Sequence, residues 1–234
     1  MPFVTRQDPE RADRWRAIGR WTGETLFDRL SARAAQMPEK VAVTDGRQRV
    51  TYRALVEMVD RMAARLRALG VGEGDVVGVQ LPNWIEFAPF LFSLERIGAV
   101  AVTVSTDFRL RELEYILRFS EAKAFVSCGA YRGFDHLAMA TELNVRVEGL
   151  RLLGSLRAGA RDGIVALDEV ITAQGPPTGF FPVRQSPDAV MRMAFTSGTT
   201  GNPKGVMHSH NTTLPAARIL SGDLGLGEQD RMMI

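Results

Sequence analysis

The 234 residues carry 29 lysines and arginines against 27 aspartates and glutamates, a formal net charge of +2, with 45% hydrophobic and 24% charged residues. That is ordinary globular usage, which excludes a disordered chain, and the charge balance argues against nucleic acid or an anionic membrane as the main partner. A single cysteine, Cys128, excludes an internal disulfide and a multi-thiolate metal site and suits a reducing compartment.

Residues 1–23 read as an N-terminal arm, polar and mixed in charge, with Trp15, Ile18 and Trp21 at helical spacing. No secretory leader is visible there. The longest apolar runs, such as 97–102, fall short of the roughly 18 residues that span a bilayer, so no transmembrane segment and a cytoplasmic location are expected. Met37-Pro38-Glu39 breaks a second helix. Two short apolar runs, 41–44 and 48–51, flank Asp45-Gly46 and predict a hairpin.

From Thr51 onward Leu55, Val59, Met62, Leu66 and Leu69 mark one buried face of a long helix that Gly70 stops. Arg61, Arg65 and Arg67 read as its solvated surface. Residues 76–81 form a buried strand. Asn83 with Glu86 three residues on predicts an N-cap and capping box, and Pro89 kinks that helix or delays its start. Gly98 ends it. Residues 99–104 are strand, 109–120 helix with Leu110, Leu113, Ile116 and Leu117 inward, and 124–126 strand again. Signals weaken from 129 to 185, where 175–179 reads as a surface loop. Strand, helix and strand in alternation predict an α/β fold, a layered, mostly parallel sheet flanked by helices.

One stretch carries chemistry. A strand over 189–195 leads into residues 196–205, and Val206-Met207-His208 reads as a second strand. Gly198, Gly201 and Gly205 permit positive φ and leave backbone N–H groups unshielded. Thr196, Ser197, Thr199 and Thr200 add four hydroxyl donors, Pro203 stiffens the exit, and Lys204 places one cation beside them. Such a loop suits a polyphosphate. It is neither the common nucleotide P-loop, since Pro203 stands where that spacing needs glycine, nor the dinucleotide fingerprint.

The 196–205 segment resembles the signature loop of the adenylate-forming superfamily, which includes acyl-CoA synthetases, luciferases and peptide-synthetase adenylation domains. His210-Asn211, Val50-Thr51-Tyr52, Gly74-Asp75-Val76-Val77, Leu81-Pro82-Asn83 and Ile97-Gly98-Ala99-Val100 extend the resemblance. The resemblance implies the N-terminal portion of that fold, truncated, with a partial AMP-binding domain over 24–234. It implies that ATP and a carboxylic acid give an acyl-adenylate, and that the acyl group then passes to coenzyme A. Thr196, Ser197, Gly198, Thr199, Thr200, Gly201 and Lys204 would contact the phosphates, with Mg²⁺ sharing that task and no metal ligand or catalytic residue assigned. Gln80-Leu81-Pro82-Asn83-Trp84, Glu86-Phe87 and Arg132-Gly133-Phe134-Asp135-His136 resemble ligases for medium-chain or cyclic acids. The family's later base, ribose and acyl segments are absent, so the chain alone is expected to be inactive. An adenylation domain loading a carrier-protein thiol and a non-catalytic nucleotide- or partner-binding module are the alternatives, and a homo-oligomer is allowed.

The remaining candidates read as structural. His208 and His210 are expected to pack near the site rather than act as bases, and His136 to be structural or at the surface. Cys128 reads as a small buried hydrophobe, and Trp84, Phe87, Phe90 and Phe92 as core rather than an acyl-binding wall. Arg109 and Arg111 read as a solvated helix start rather than contacts to coenzyme A phosphates. Residues 231–234 read as the opening of another strand.

Overall fold

A computed structural model describes residues 7–173, 175, 177, 179–196 and 203–233. Helix α1 (Pro9–Ala17) begins at Asp8, whose carboxylate accepts from the Glu10 N–H. The expected arm helix is therefore present, yet Ala12 is its buried residue and Ile18 stays 59% exposed. Helix α2 (Leu26–Gln36) opens on a capping box between Thr25 and Asp28 and stops before Met37-Pro38. Strands β1 (Val41–Thr44) and β2 (Arg49–Thr51) pair antiparallel around a turn in which Asp45 accepts from the N–H groups of Arg47 and Gln48. Helix α3 (Tyr52–Ala68) is capped by the Thr51 hydroxyl and buries Leu55, Met58, Val59, Met62, Ala63 and Leu66. Gly70, at φ +86°, supplies its stop.

The central elements follow in order: β3 (Val76–Gln80), α4 (Phe87–Arg96), β4 (Val100–Thr103), α5 (Leu110–Phe119) and β5 (Ala124–Cys128). Then come the small pair β6 (Ala130–Tyr131) and β7 (Phe134–Asp135), α6 (His136–Arg146), β8 (Leu152–Leu156), β9 (Ile164–Ala166) and α7 (Asp168–Thr172). The chain continues with β10 (Val190–Phe195), β11 (Gly205–Ser209) and α8 (His210–Asp223). Seven strands form one sheet in the order β11-β10-β4-β3-β5-β8-β9. All neighbours are parallel except β10 and β11. Helix α4 carries the chain from β3 to β4, and α5 carries it back past β3 to β5, which is the winding reversal of open α/β sheets.

Each face of the sheet has its own core. Val102, Leu113, Ile116, Leu117, Phe125 and Leu143 pack on the side of α5 and α6. Met62, Leu66, Val77, Phe90, Leu94 and Ala101 pack on the side of α3 and α4. Where α5 crosses β3 the fit leaves no space for a side chain at Gly78, because a Cβ there would lie 2.5 Å from Leu117 Cδ2 and 2.9 Å from Phe125 Cδ2.

Four expectations are corrected. Asn83 does not cap α4: the chain turns through Trp84, whose N–H donates to Pro82 O, and the helix starts at Phe87 with no side-chain cap. Pro89 thus sits in the first turn, where its missing N–H costs nothing, so the start is delayed rather than kinked. Arg61 is not solvated, since its guanidinium donates to Val170 O (3.1 Å) and Gly175 O (2.7 Å) and ties α3 to α7. The weak stretch from 129 to 185 contains α6, β8, β9 and α7. No strand forms over 231–233, where Met233 is 97% exposed, and Ile234 lies outside the described residues. Among the described residues no helix is long and apolar enough to cross a membrane.

Candidate functional site

The chemistry-bearing loop grows from the hairpin of β10 and β11. Strand β10 is locked to β4 in parallel, Met193 beside Val102 and Ala194 beside Thr103, so its carboxyl end lies with that of β4. Open α/β sheets hold ligands at this edge. The hairpin closes with Phe195 opposite Gly205. One residue further, the Thr196 N–H donates to Lys204 O and the Lys204 N–H donates to Thr196 Oγ1, both at 3.1 Å. These two bonds form a neck that fixes where the loop leaves the sheet. Of the expected phosphate contacts, Thr196 and Lys204 stand at this neck, whereas Ser197, Gly198, Thr199, Thr200 and Gly201 lie outside the described residues. Both neck residues are exposed, and Lys204 has no ion pair among the described residues.

Gly205 serves the neck differently from the sequence expectation. It is not among the glycines at positive φ. Its value is flatness: a Cβ there would lie 3.1 Å from Phe195 Cζ, so the ring rests on bare backbone. Phe119 of α5 meets the same ring edge-on, with centroids 6.1 Å apart at 89°. Nothing in the local sequence joins residues 119, 195 and 205; the sheet order does.

Buried polar side chains brace the surrounding strand ends. Gln80 Nε2 donates to Ser105 O (2.8 Å) and Phe108 O (3.1 Å), and its Oε1 meets His136 Nδ1 at 3.1 Å. His136 is fully covered, and burial together with Arg109 lowers its pKa. Arg109 itself lies over the Phe134 ring, 4.1 Å from its centroid. Behind β11, His210 Nδ1 accepts from the Leu26 N–H and its Nε2 faces Gln185 Oε1, each at 3.2 Å. Burial pushes His210 down to about 4. Glu95 Oε1 accepts from the Phe27 N–H at 2.8 Å, and burial pushes that carboxyl up to about 7. His210 and Glu95 therefore satisfy the first two donors of α2 and tie the segment after the loop to α2 and α4. His208 is half-buried, its pKa lowered by burial and by Arg192. Cys128 is fully buried, and burial raises its thiol to about 11, as suits a small hydrophobe.

One structural cluster gave no sequence signal. Arg157, at φ +57°, ion-pairs with Glu86 at 2.8 Å and with Asp45, and lies 4.6 Å from the Trp84 ring centroid. It joins the β1–β2 turn to the segment between β3 and α4. Trp84, Phe87 and Phe90 pack with the α3/α4 core, and Phe92 with the core around α2 and α3, as expected.

The family model described as AMP-binding enzyme matches residues 30–234. The chain belongs to the AMP-binding enzyme family. It is 33% identical over 202 residues to a 2,3-dihydroxybenzoate-AMP ligase of Bacillus subtilis strain 168, a match covering 86% of this chain and 36% of that protein. It is 30% identical over 227 residues to a medium-chain fatty-acid–CoA ligase of Escherichia coli K12, covering 96% and 40%. The apo structure of Mycobacterium smegmatis MbtA superposes with a TM-score of 0.86 at 32% identity, covering 97% of this chain and 41% of that one. This AMP-binding enzyme chain thus spans about two-fifths of the length of each.

What the neck can hold follows from its donors. An exposed ammonium with no ion pair among the described residues, beside a hydroxyl, suits an anion with several oxygens, as the phosphates of ATP present. Among the described residues no group of three or more His, Cys, Asp and Glu could hold a metal ion. Ions such as Mg²⁺ commonly bind through one or two carboxylates together with substrate phosphates.

Proposed function

We propose that this AMP-binding enzyme chain grips the β- and γ-phosphates of ATP within a ligase that activates a carboxylic acid. A carboxylate is a poor electrophile. Its oxygen attacks the α-phosphorus, the bond to the bridging oxygen of the β-phosphate breaks, and pyrophosphate leaves with that electron pair. The acyl-adenylate formed then accepts a thiol, and AMP departs. Positioning and charge stabilisation dominate such a step. Thr196, Ser197, Thr199 and Thr200 supply hydroxyl donors, Gly198 and Gly201 supply unshielded N–H groups, and Lys204 supplies the counter-charge. Mg²⁺ bound with the nucleotide would neutralise further phosphate charge. The observation that carries the reading is the neck, which holds Thr196 and the unpaired Lys204 together at the carboxyl end of β10.

Residues 24–234 would form part of the AMP-binding domain, with 1–23 as its arm. Coenzyme A is the expected acceptor of the acyl group, in line with the Escherichia coli relative's name. A carrier-protein thiol is the second reading, favoured by likeness to a Bacillus subtilis protein whose name stops at the adenylate. The chain alone is not expected to complete adenylation, because it holds about two-fifths of its relatives' length. Thermal shifts with ATP, ADP and AMP test the phosphate grip, since a ligand bound only by the native state raises the melting temperature. Stabilisation in the order ATP, ADP, AMP is expected. An equal shift with AMP would contradict it.

A further inference from the structure

Asn211, half of the His210-Asn211 motif, takes no part in the phosphate grip, yet it is buried and well engaged. It stands in the first turn of α8, where a backbone N–H has no partner within the helix. That N–H donates to Pro187 O at 3.0 Å, and the side-chain Nδ2 donates to Asp188 Oδ1 at 2.8 Å. The other carboxylate oxygen of Asp188 accepts from Arg16 of α1 at 2.5 Å. The chain entering β10 is thus clasped to the chain leaving β11, at the end of the hairpin opposite the neck.

Between clasp and neck the two strands change register. Val190 lies opposite Ser209 and Arg192 opposite His208, so β10 advances two residues while β11 advances one, a bulge at Met191. Were the register of Val190 and Ser209 carried on unbroken, Lys204 would face Phe195, and Thr196 would face Pro203, which has no N–H to give. A slip of one residue also turns the side chains of β11 to the other face. The bulge instead sets Thr196 against Lys204 and lays the Phe195 ring on Gly205. Strand β10 is not free to slide, because Arg192, Met193 and Ala194 pair with Ala101, Val102 and Thr103 of β4. Among the described residues β11 has β10 as its one strand neighbour. Its register therefore depends on that ladder and on what holds its ends.

We propose that Asp188 and Asn211 are positioning residues of the phosphate grip: their clasp pins β11 in the bulged register that puts Lys204 beside Thr196. The functional sense of the clasp rests on reading the neck as a phosphate site, but the register is measurable without it. The Arg16–Asp188 pair lies near the surface, each side chain more than a third exposed, and adds little. The bond from the buried Asn211 amide to the carboxylate carries the clasp.

Amide hydrogen exchange of the whole chain, followed by NMR, tests it. The Thr196 and Lys204 amides, which form the neck, are expected to be protected in the parent. Asp188→Ala should speed their exchange by about tenfold or more while Val102, inside the sheet, keeps its protection. Asp188→Asn retains an oxygen for Asn211 and should restore most of the protection, and Arg16→Ala should leave the rates near the parent's. Unchanged neck exchange in Asp188→Ala, or neck amides already unprotected in the parent, would overturn the proposal. Exchange that speeds equally at Val102 would also overturn it, by marking the clasp as general stability. If Asp188→Ala does not fold, Asn211→Ala, which keeps the backbone bond to Pro187, is read in the same way, and failure of both to fold counts as general stability. ATP titration of the same samples separates the two readings. A neck loosened by Asp188→Ala in a chain whose parent binds no ATP sinks only the phosphate grip, whereas ATP binding with an unmoved neck sinks only the clasp. Where both hold, Asp188→Ala should weaken ATP binding by about fivefold or more, with Asp188→Asn close to the parent.

Discussion

Arg157 and the pair Glu95–His210 show how much of this molecule rests on single buried ionisable groups. Arg157 answers two carboxylates, and although burial alone would raise Asp45, Arg157 and the turn N–H groups hold it at about 2. Arg157→Met leaves Glu86 and Asp45 facing each other's surroundings without a cation. It should cost about 3–5 kcal/mol in urea denaturation, and a loss below 1 kcal/mol would contradict the cluster's role. Glu95 and His210 have opposite linkage. The raised Glu95 carboxyl contributes stability that is present below its unfolded value of 4.5 and is lost as pH rises through about 7. The lowered His210 contributes stability that is present above 6.5 and is lost as pH falls through about 4. Between those limits the slopes oppose each other. Glu95→Gln removes the falling one, so its melting temperature should climb more steeply than the parent's from pH 4 to 6.5; parallel curves would contradict this. The two strands that flank the loop were legible from their apolar runs, whereas the roles of Gln80 and Arg157 were not, because a buried polar group's meaning lies in neighbours far away in sequence.

Elements with strong periodicity were readable and those held by context were not. Helix α3 announces itself by Leu55, Val59, Met62 and Leu66, all buried as its spacing requires. Helix α6 was missed although Asp135 caps it and Leu137, Ala140 and Leu143 line its inner side, because His136 and Met139 blur the stripe. Asn83 looked like a cap, but Glu86, its expected capping-box partner, is drawn to Arg157 and the helix begins later. The fit between α5 and β3 gives a direct test. Gly78→Ala drives a methyl into Leu117 and Phe125 and should destabilise by roughly 1–3 kcal/mol. A neutral result would mean that α5 does not sit tightly on the sheet.

At the scale of the whole molecule, the sheet order brings the loop-bearing hairpin beside β4 from a sequence distance of some ninety residues, which no local pattern encodes. The same order leaves β11 at an edge, with Val206 and Met207 exposed. An apolar edge strand is a template for pairing with another chain. Sedimentation velocity should show concentration-dependent association that Val206→Lys reduces; a monomer at every concentration would contradict that. The central claim is that the hairpin's neck exists to hold a triphosphate against Lys204. Isothermal titration of the chain with ATP, before and after Lys204→Ala, tests it most directly. A loss of roughly 1.5–3 kcal/mol in binding, tenfold or more, is expected for removing a charged hydrogen-bond donor; equal affinity in the two proteins would contradict the account.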